Sequence, residues 1–282
     1  MRSNGSIIGP KKAVSPSSAS GIWAIRDAQR ERGADNWGAV PATDVECLII
    51  AGGGGCSLGG GGAGGYREFA SIPVVAATAY TITVGAGGAG TGNFNSYHPA
   101  KGVNSSAFGQ SATGGGKGQG IYAGGEAGGS GGGAGSSNGG QVYASGGSGN
   151  EGGYSPVEGY NGANNTYSEA GGGGGAGAAG SPTIGGAGRA SSITGTSVTR
   201  ARGGYVNNSQ GASGANTGNG GSYNGQIYVA DSVNSGGSGV VIIAYPSTFL
   251  PATATTGSPT YSSVSRSGYH VYTFTASGSI TF

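Results

Sequence analysis

The sequence predicts a mainly β fold: a glycine-rich, β-sandwich-like body with extended polyproline-II-type or loop segments, a short helix before it and a small β-meander after it. Three observations predict this. Glycine supplies 69 of 282 residues, about a quarter, where ordinary usage is about 7%. Most of these glycines lie between two apolar runs, VECLIIAG (Val45 to Gly52) and GVVIIAYP (Gly239 to Pro246). From residue 44 onward the apolar runs alternate or stay apolar on both faces, which are strand patterns. Glycine has no side chain to bury and loses the most backbone freedom on folding. A chain this rich in it gains close backbone packing or free loop geometry, and little chemistry.

Residues 1–43 read as an N-terminal docking segment. Residues 1–18 are an extended tail without periodicity. Residues 19–33 (ASGIWAIRDAQRERG) read as a short helix, with Ser20 as a cap and Gly33 as a stop. Its apolar side carries Ile22, Trp23 and Ile25, and Trp37 follows in the same segment. So short a helix is not stable alone in water and must dock, either on the chain's own body or on a partner in a larger assembly. These four residues are the candidate docking contacts.

Residues 44–246 read as the glycine-rich β domain. Residues 44–52 form a strand buried on both faces, and 66–76 a second one that Pro73 sends to an edge or a bend. Residues 79–87 alternate, with Tyr80, Ile82 and Val84 inward. Residues 239–246 form another two-faced strand. It is expected to share one sheet with 45–50 and 79–84, closing the domain. Runs such as AGGGGGAGAAG (Ala170 to Gly180) lack the strict Gly-X-Y period of collagen but suit extended left-handed strands packed side by side. Residues 247–258 read as a linker. Residues 259–282 read as a small β-meander built from TYSSVS, GYHVYTFTA and ITF.

Composition excludes several classes. Charged residues are 9% and the net charge is +2, whereas a disordered chain is expected to carry high net charge. Residues 44–282 hold seven basic and eight acidic groups, so no basic stripe suits nucleic acid. No run reaches the roughly 18 apolar residues of a membrane span, and the N-terminus has no signal-like apolar core. Cys47 and Cys56 are expected to be two free thiols, and the chain to fold in a reducing cytoplasm.

No catalytic, cofactor or metal residue is selected. Gly85 to Gly90 matches GxGxxG, but the following TGNFNSYHPAKG is not the helix that a dinucleotide needs. Lys117 has no following Ser or Thr to make a phosphate loop. Gly55-Cys56-Ser57-Leu58-Gly59 matches the nucleophile elbow, with Asp231 and His270 in hydrolase order, yet glycines follow where a helix is required. Two histidines, His98 and His270, form no metal-ligand spacing with the thiols. The distinctive side chains are tyrosines. Tyr122, Tyr143, Tyr154, Tyr160, Tyr167, Tyr205 and Tyr223 sit among Gly, Ser and Asn. That mix resembles binding loops in which rigid aromatics supply contact area, and these seven are the candidate surface-binding residues. The alternative is that they cover glycine backbone and fill gaps in it.

The ordered series VECLIIAGGGG, GGGGAGGYREF, AYTITVGAGGAG, NSSAFG, AGGGGGAGAAG, SSITGTSVT and GGSGVVIIAYP resembles the glycine-rich domain of bacteriophage tail-fibre and related virion proteins. SASGIWAIRDAQRERGADNW resembles leader segments of cyanophage tail and fibre proteins, and YHVYTFTASGSITF a β-module often joined to such domains. The resemblance implies a non-enzymatic virion protein, assembled in the host cytoplasm and homotrimeric. It would be held to other virion proteins by its N-terminal segment and able to contact a host cell-surface receptor. No nucleic-acid partner, membrane insertion or cofactor is implied. A capsid decoration protein and a secreted glycine-rich surface or ice-binding protein are the alternatives. Arg200 and Arg202 depart from the small residues usual after SSITGTSV, and Ala244 stands where an arginine is usual.

Overall fold

The computed structural model describes residues 40–91, 99–136, 143–166, 169–206, 213–223 and 235–282. The expected helix over 19–33, and with it Ile22, Trp23 and Ile25, lies outside the described residues, as does Trp37. The described chain is mainly β and contains no helix. Its strands are β1 (Asp44–Ile50), β2 (Tyr66–Pro73), β3 (Ala79–Ile82), β4 (Ser105–Ala107), β5 (Gln110–Ala112), β6 (Arg189–Ser191), β7 (Val198–Arg200), β8 (Val240–Pro246), β9 (Ala254–Thr256), β10 (Thr260–Ser262), β11 (Tyr269–Phe274) and β12 (Gly278–Thr281).

The two apolar runs are the centre of a five-stranded antiparallel sheet of order β10-β11-β8-β1-β2. β1 and β8 pair directly, with Ile50 opposite Val240 and Leu48 opposite Ile242. A strand apolar on both faces has to be covered on both, and it is. Val45, Cys47, Ile49, Val241, Ile243 and Phe274 pack with Ile82, Ile280 and Phe282 of a second sheet, β3-β12-β9. Leu48, Ile50, Val240 and Ile242 pack with Ile193 and Ala201 around the β6–β7 hairpin. Pro73 ends β2 at the sheet's edge, where its missing N–H breaks no ladder bond.

Three expectations are corrected. β3 does not join β1 and β8 but pairs with β12. Its alternation gives it one apolar face, with Ile82 fully buried and Thr81 exposed, so it suits an outer layer. The C-terminal residues do not form a separate meander. β11 is buried on both sides and pairs with β8, while β12 crosses to the other sheet between β3 and β9. The expected linker 247–258 itself contributes β9.

Beyond the sheets the glycine segments bond to one another through their backbones. The six amides of residues 60–65 donate in turn to the carbonyls of Gly171, Gly221, Gly116, Gly174, Gly218 and Thr113, at 2.8–3.0 Å. Each third residue therefore returns to the same neighbouring segment. In residues 129–134 two of the three series do the same: Ser130 and Gly133 donate to Ala63 and Gly60, and Gly131 and Ala134 to Tyr160 and Ala163, while Gly129 and Gly132 donate to Gly114 and Glu126. Such spacing leaves no room for side chains between segments. A Cβ at Gly61 would overlap the carbonyl of Gly54, and one at Gly133 that of Gly171. Residues 51–65 are all buried.

Candidate functional site

The glycine segments run outward from the sheets and reverse at the opposite end of the molecule. Leu58 and Gly59 share the Gln119 carbonyl there, Tyr122 donates its N–H to Ser136, and Val206 donates its own to Thr183. This turn end is closed by a small apolar cap of Cys56, Leu58, Ala170, Val206 and Tyr223, with Ile121 against it. Both Cys47 and Cys56 are buried free thiols. Burial raises both thiols far above their ordinary range, so neither is poised as a nucleophile. Tyr223 is buried in the cap, and burial and the neighbouring Cys56 raise its hydroxyl pKa. It therefore fills a gap instead of facing a partner.

The other candidate tyrosines divide by position. Tyr143 is the most exposed at 72%, and Tyr122 is 50% exposed. Both belong to the turn end, since Ala144 next to Tyr143 donates its N–H to Asn165 Oδ1 at 2.8 Å. Ile184, also exposed, lies at the same end beside Thr183. Tyr122 has φ +63°, left-handed backbone that costs a non-glycine residue about 1–2 kcal/mol. Tyr205 is half-buried, with the Arg202 guanidinium 5.1 Å from its ring centre. Tyr160 is exposed on the flank of the bundle, its N–H donating to Gly175. Tyr154 lies near the sheets, half-buried, with the Arg67 guanidinium 3.8 Å over its ring. Tyr167 lies outside the described residues.

Among the described residues Ser57 and His270 of the hydrolase-order motif do not come together, and Asp231 and His98 lie outside those residues. Ser57 is buried at the turn end, while His270 is in β11 in the sheets. No helix follows Gly59; the chain returns as glycine to β2. His270 is held from both ring nitrogens, by the Tyr261 hydroxyl at 2.8 Å and the Phe249 carbonyl at 3.1 Å. Among the described residues no group of three or more His, Cys, Asp or Glu could hold a metal ion, and no helix is long and apolar enough to cross a membrane.

Sequence reading missed the charged residues that the fold gathers. Glu46 faces Ala244 across the β1–β8 ladder. Arg266 reaches Glu46 with two hydrogen bonds, at 2.5 and 3.0 Å, and lies 3.6 Å over the Tyr269 ring. Glu158 is fully buried and accepts the Thr113 N–H at 2.8 Å. Burial raises its carboxyl pKa against the lowering effect of that bond.

A sheet base carrying a backbone-bonded glycine bundle defines a glycine-rich structural domain. The chain belongs to the glycine-rich domain family, whose sequence model matches residues 31–246. No curated protein and no solved structure matches it.

Proposed function

We propose that this chain is a non-enzymatic bacteriophage virion protein, a tail fibre or adhesin that holds its glycine bundle outward and contacts the host surface. In this reading the bundle consists of polyproline-II-type segments on a β-sandwich-like base. The three-residue recurrence of the hydrogen bonds supports that, because polyproline II has three residues per turn and no internal bonds.

One observation carries the functional reading: the molecule has two unlike ends. The described chain starts at the sheet end, where Val40 accepts the Leu250 N–H and Ala42 is buried. The exposed aromatic side chains Tyr122 and Tyr143 lie at the other end, on a support held by backbone hydrogen bonds. Attachment through residues 1–39 at one end and display at the other is what an adhesin needs. Binding loops enriched in Tyr, Ser, Gly and Asn supply contact area at low entropic cost. The functional unit is a homotrimer assembled in the host cytoplasm, without cofactor, nucleic acid or membrane insertion.

Immunogold electron microscopy of virions, with antibody to residues 44–246, tests the placement. Label at the tail or fibres supports the adhesin. Label spread over the capsid makes it a decoration protein, and no label on any particle overturns the virion reading. Saturable binding of the purified protein to host cells tests the contact itself. A single-subunit mass in light scattering on the tail-assembled protein would sink the trimer.

A further inference from the structure

Three guanidiniums gather beside the edge strand β2, and among the described residues none of them forms an ion pair with a carboxylate. A cavity of about 220 Å³ opens there, between Arg67, Glu68, Phe69, Arg189 and the Ser155–Pro156 turn. Arg67 donates from Nη1 to the Ser111 carbonyl at 2.8 Å and is stacked between the Tyr154 ring and, 4.8 Å away, the Phe69 ring. Among the described residues the Arg189 side chain makes neither an ion pair nor a hydrogen bond, and its guanidinium lies 5.3 Å from the Tyr66 ring centre. Arg200 is its direct cross-strand partner in the β6–β7 hairpin, and Arg200 Nη1 is buried with no hydrogen-bond partner.

No nearby carboxylate comes within ion-pair distance of these charges. Glu68 accepts the Tyr66 hydroxyl at 2.9 Å and the Ser191 hydroxyl at 2.5 Å. Glu158 accepts the Thr113 N–H at 2.8 Å and the Gly152 N–H at 3.4 Å, and its charge acts on Arg67 only from beyond ion-pair distance. Like charges directly opposite on paired strands destabilise a sheet, and a buried cationic nitrogen without a partner costs more. Costs of this kind persist where the site is used.

We propose that this groove binds a carboxylate-bearing sugar unit of an acidic polysaccharide. The planar guanidinium fork matches a carboxylate with two parallel hydrogen bonds. The half-buried Phe69 ring and the exposed Pro156 offer apolar faces to the C–H side of a pyranose, and Glu68 and Ser155 offer partners to its hydroxyls. A free phosphate would use the charge but neither apolar face. The volume is below the roughly 300–1,000 Å³ of pockets that enclose a whole small ligand. One sugar residue enters, and the polymer continues over the open edge of the sheet. The groove lies beside the sheets and not at the turn end, so it goes beyond the tyrosine contact proposed above and rests on the host-contact reading only for its biological role.

The test is calorimetric titration of the full chain, Arg189→Gln, Arg189→Lys and Phe69→Leu with trigalacturonate, maltotriose and inorganic phosphate at fixed ionic strength. The expected result is saturable binding of trigalacturonate and none of maltotriose. Arg189→Gln should weaken it about ten-fold or more, Arg189→Lys by less, and Phe69→Leu measurably; Arg189→Gln should melt no lower than wild type, because it removes the like charge opposite Arg200. Equal binding of maltotriose, displacement by equimolar phosphate, or unchanged affinity in Arg189→Gln overturns the proposal. Host-cell adsorption separates the two readings. If wild type and Arg189→Gln adsorb equally, the groove loses its role while host contact stands. If neither adsorbs but trigalacturonate still binds only the wild type, the groove stands and host contact falls.

Discussion

At Gly133 the whole side-chain space is taken by the Gly171 carbonyl, while its own N–H donates to Gly60 at 2.8 Å. Gly133→Ala therefore has to push two bonded segments apart, an overpacking that costs about 1–3 kcal/mol or more. Gly153 has φ +66° and nothing within 4 Å of a built Cβ, so Gly153→Ala meets only backbone strain of about 1 kcal/mol. Thermal melts of the two should rank in that order, and the reverse ranking would falsify backbone contact as the organising force. Tyr122 sits in left-handed backbone at an exposed turn, a conformation that asparagine tolerates. Tyr122→Asn should melt at or above the wild-type temperature yet adsorb more weakly to host cells. Stability lost along with adsorption would make the tyrosine a structural residue. Glu158 yields a pH prediction. Burial raises its carboxyl pKa in the folded state, so folding takes up a proton between the ordinary glutamate range and the raised value. Stability from this group is present below that window and lost as pH rises through it. Glu158→Gln keeps an oxygen for the Thr113 N–H and should be more stable than wild type at neutral pH. That advantage should shrink on acidification, and a difference constant with pH would exclude the buried carboxylate as its source.

The elements show how the chain's last residues became part of its centre. β11 pairs with β8 through Val271–Ala244 and Thr273–Ile242, and β12 carries the fully buried Ile280 between β3 and β9. Deleting residues 259–282 would expose one edge of β8 and uncover the core face of β1. The truncated chain should therefore lose near-ultraviolet circular dichroism and amide protection throughout. A folded, protected 1–258 fragment would restore the view of 259–282 as an appended module. The sequence made some of this readable. VECLIIAG and GVVIIAYP have too few polar residues to face water on either side, and Pro73 marks an edge. The partners of β3 and β12 were not readable, because strand pairing over such distances leaves no local period. The glycine segments gave even less, since a glycine run carries no side-chain pattern from which neighbours can be inferred. Arg67 and Arg189 lie far apart in sequence, and only the departure at Arg200 and Arg202 hinted at the charge gathered at β2.

In the proposed reading the whole molecule separates holding from display. Its sheet base has an apolar core, with Phe274, Tyr245 and Ile243 fully buried, and tolerates the usual rules of packing. Its glycine body relies on backbone hydrogen bonds and tolerates almost no added carbon. The N-terminal segment enters at the base. Val40, Ala42 and Thr43 are bonded or packed there, Thr43 through its carbonyl to the Val74 N–H. The natural cut is therefore before Val40, not after residue 43. A chain lacking residues 1–39 should fold, melt within about 1 kcal/mol of the full chain in stability, and still saturate host cells, yet be missing from purified particles. If the truncated protein enters particles normally, the base does not attach through Ile22, Trp23, Ile25 and Trp37. If it fails to fold, that segment belongs to the body's own core and the two-ended design of the molecule does not hold.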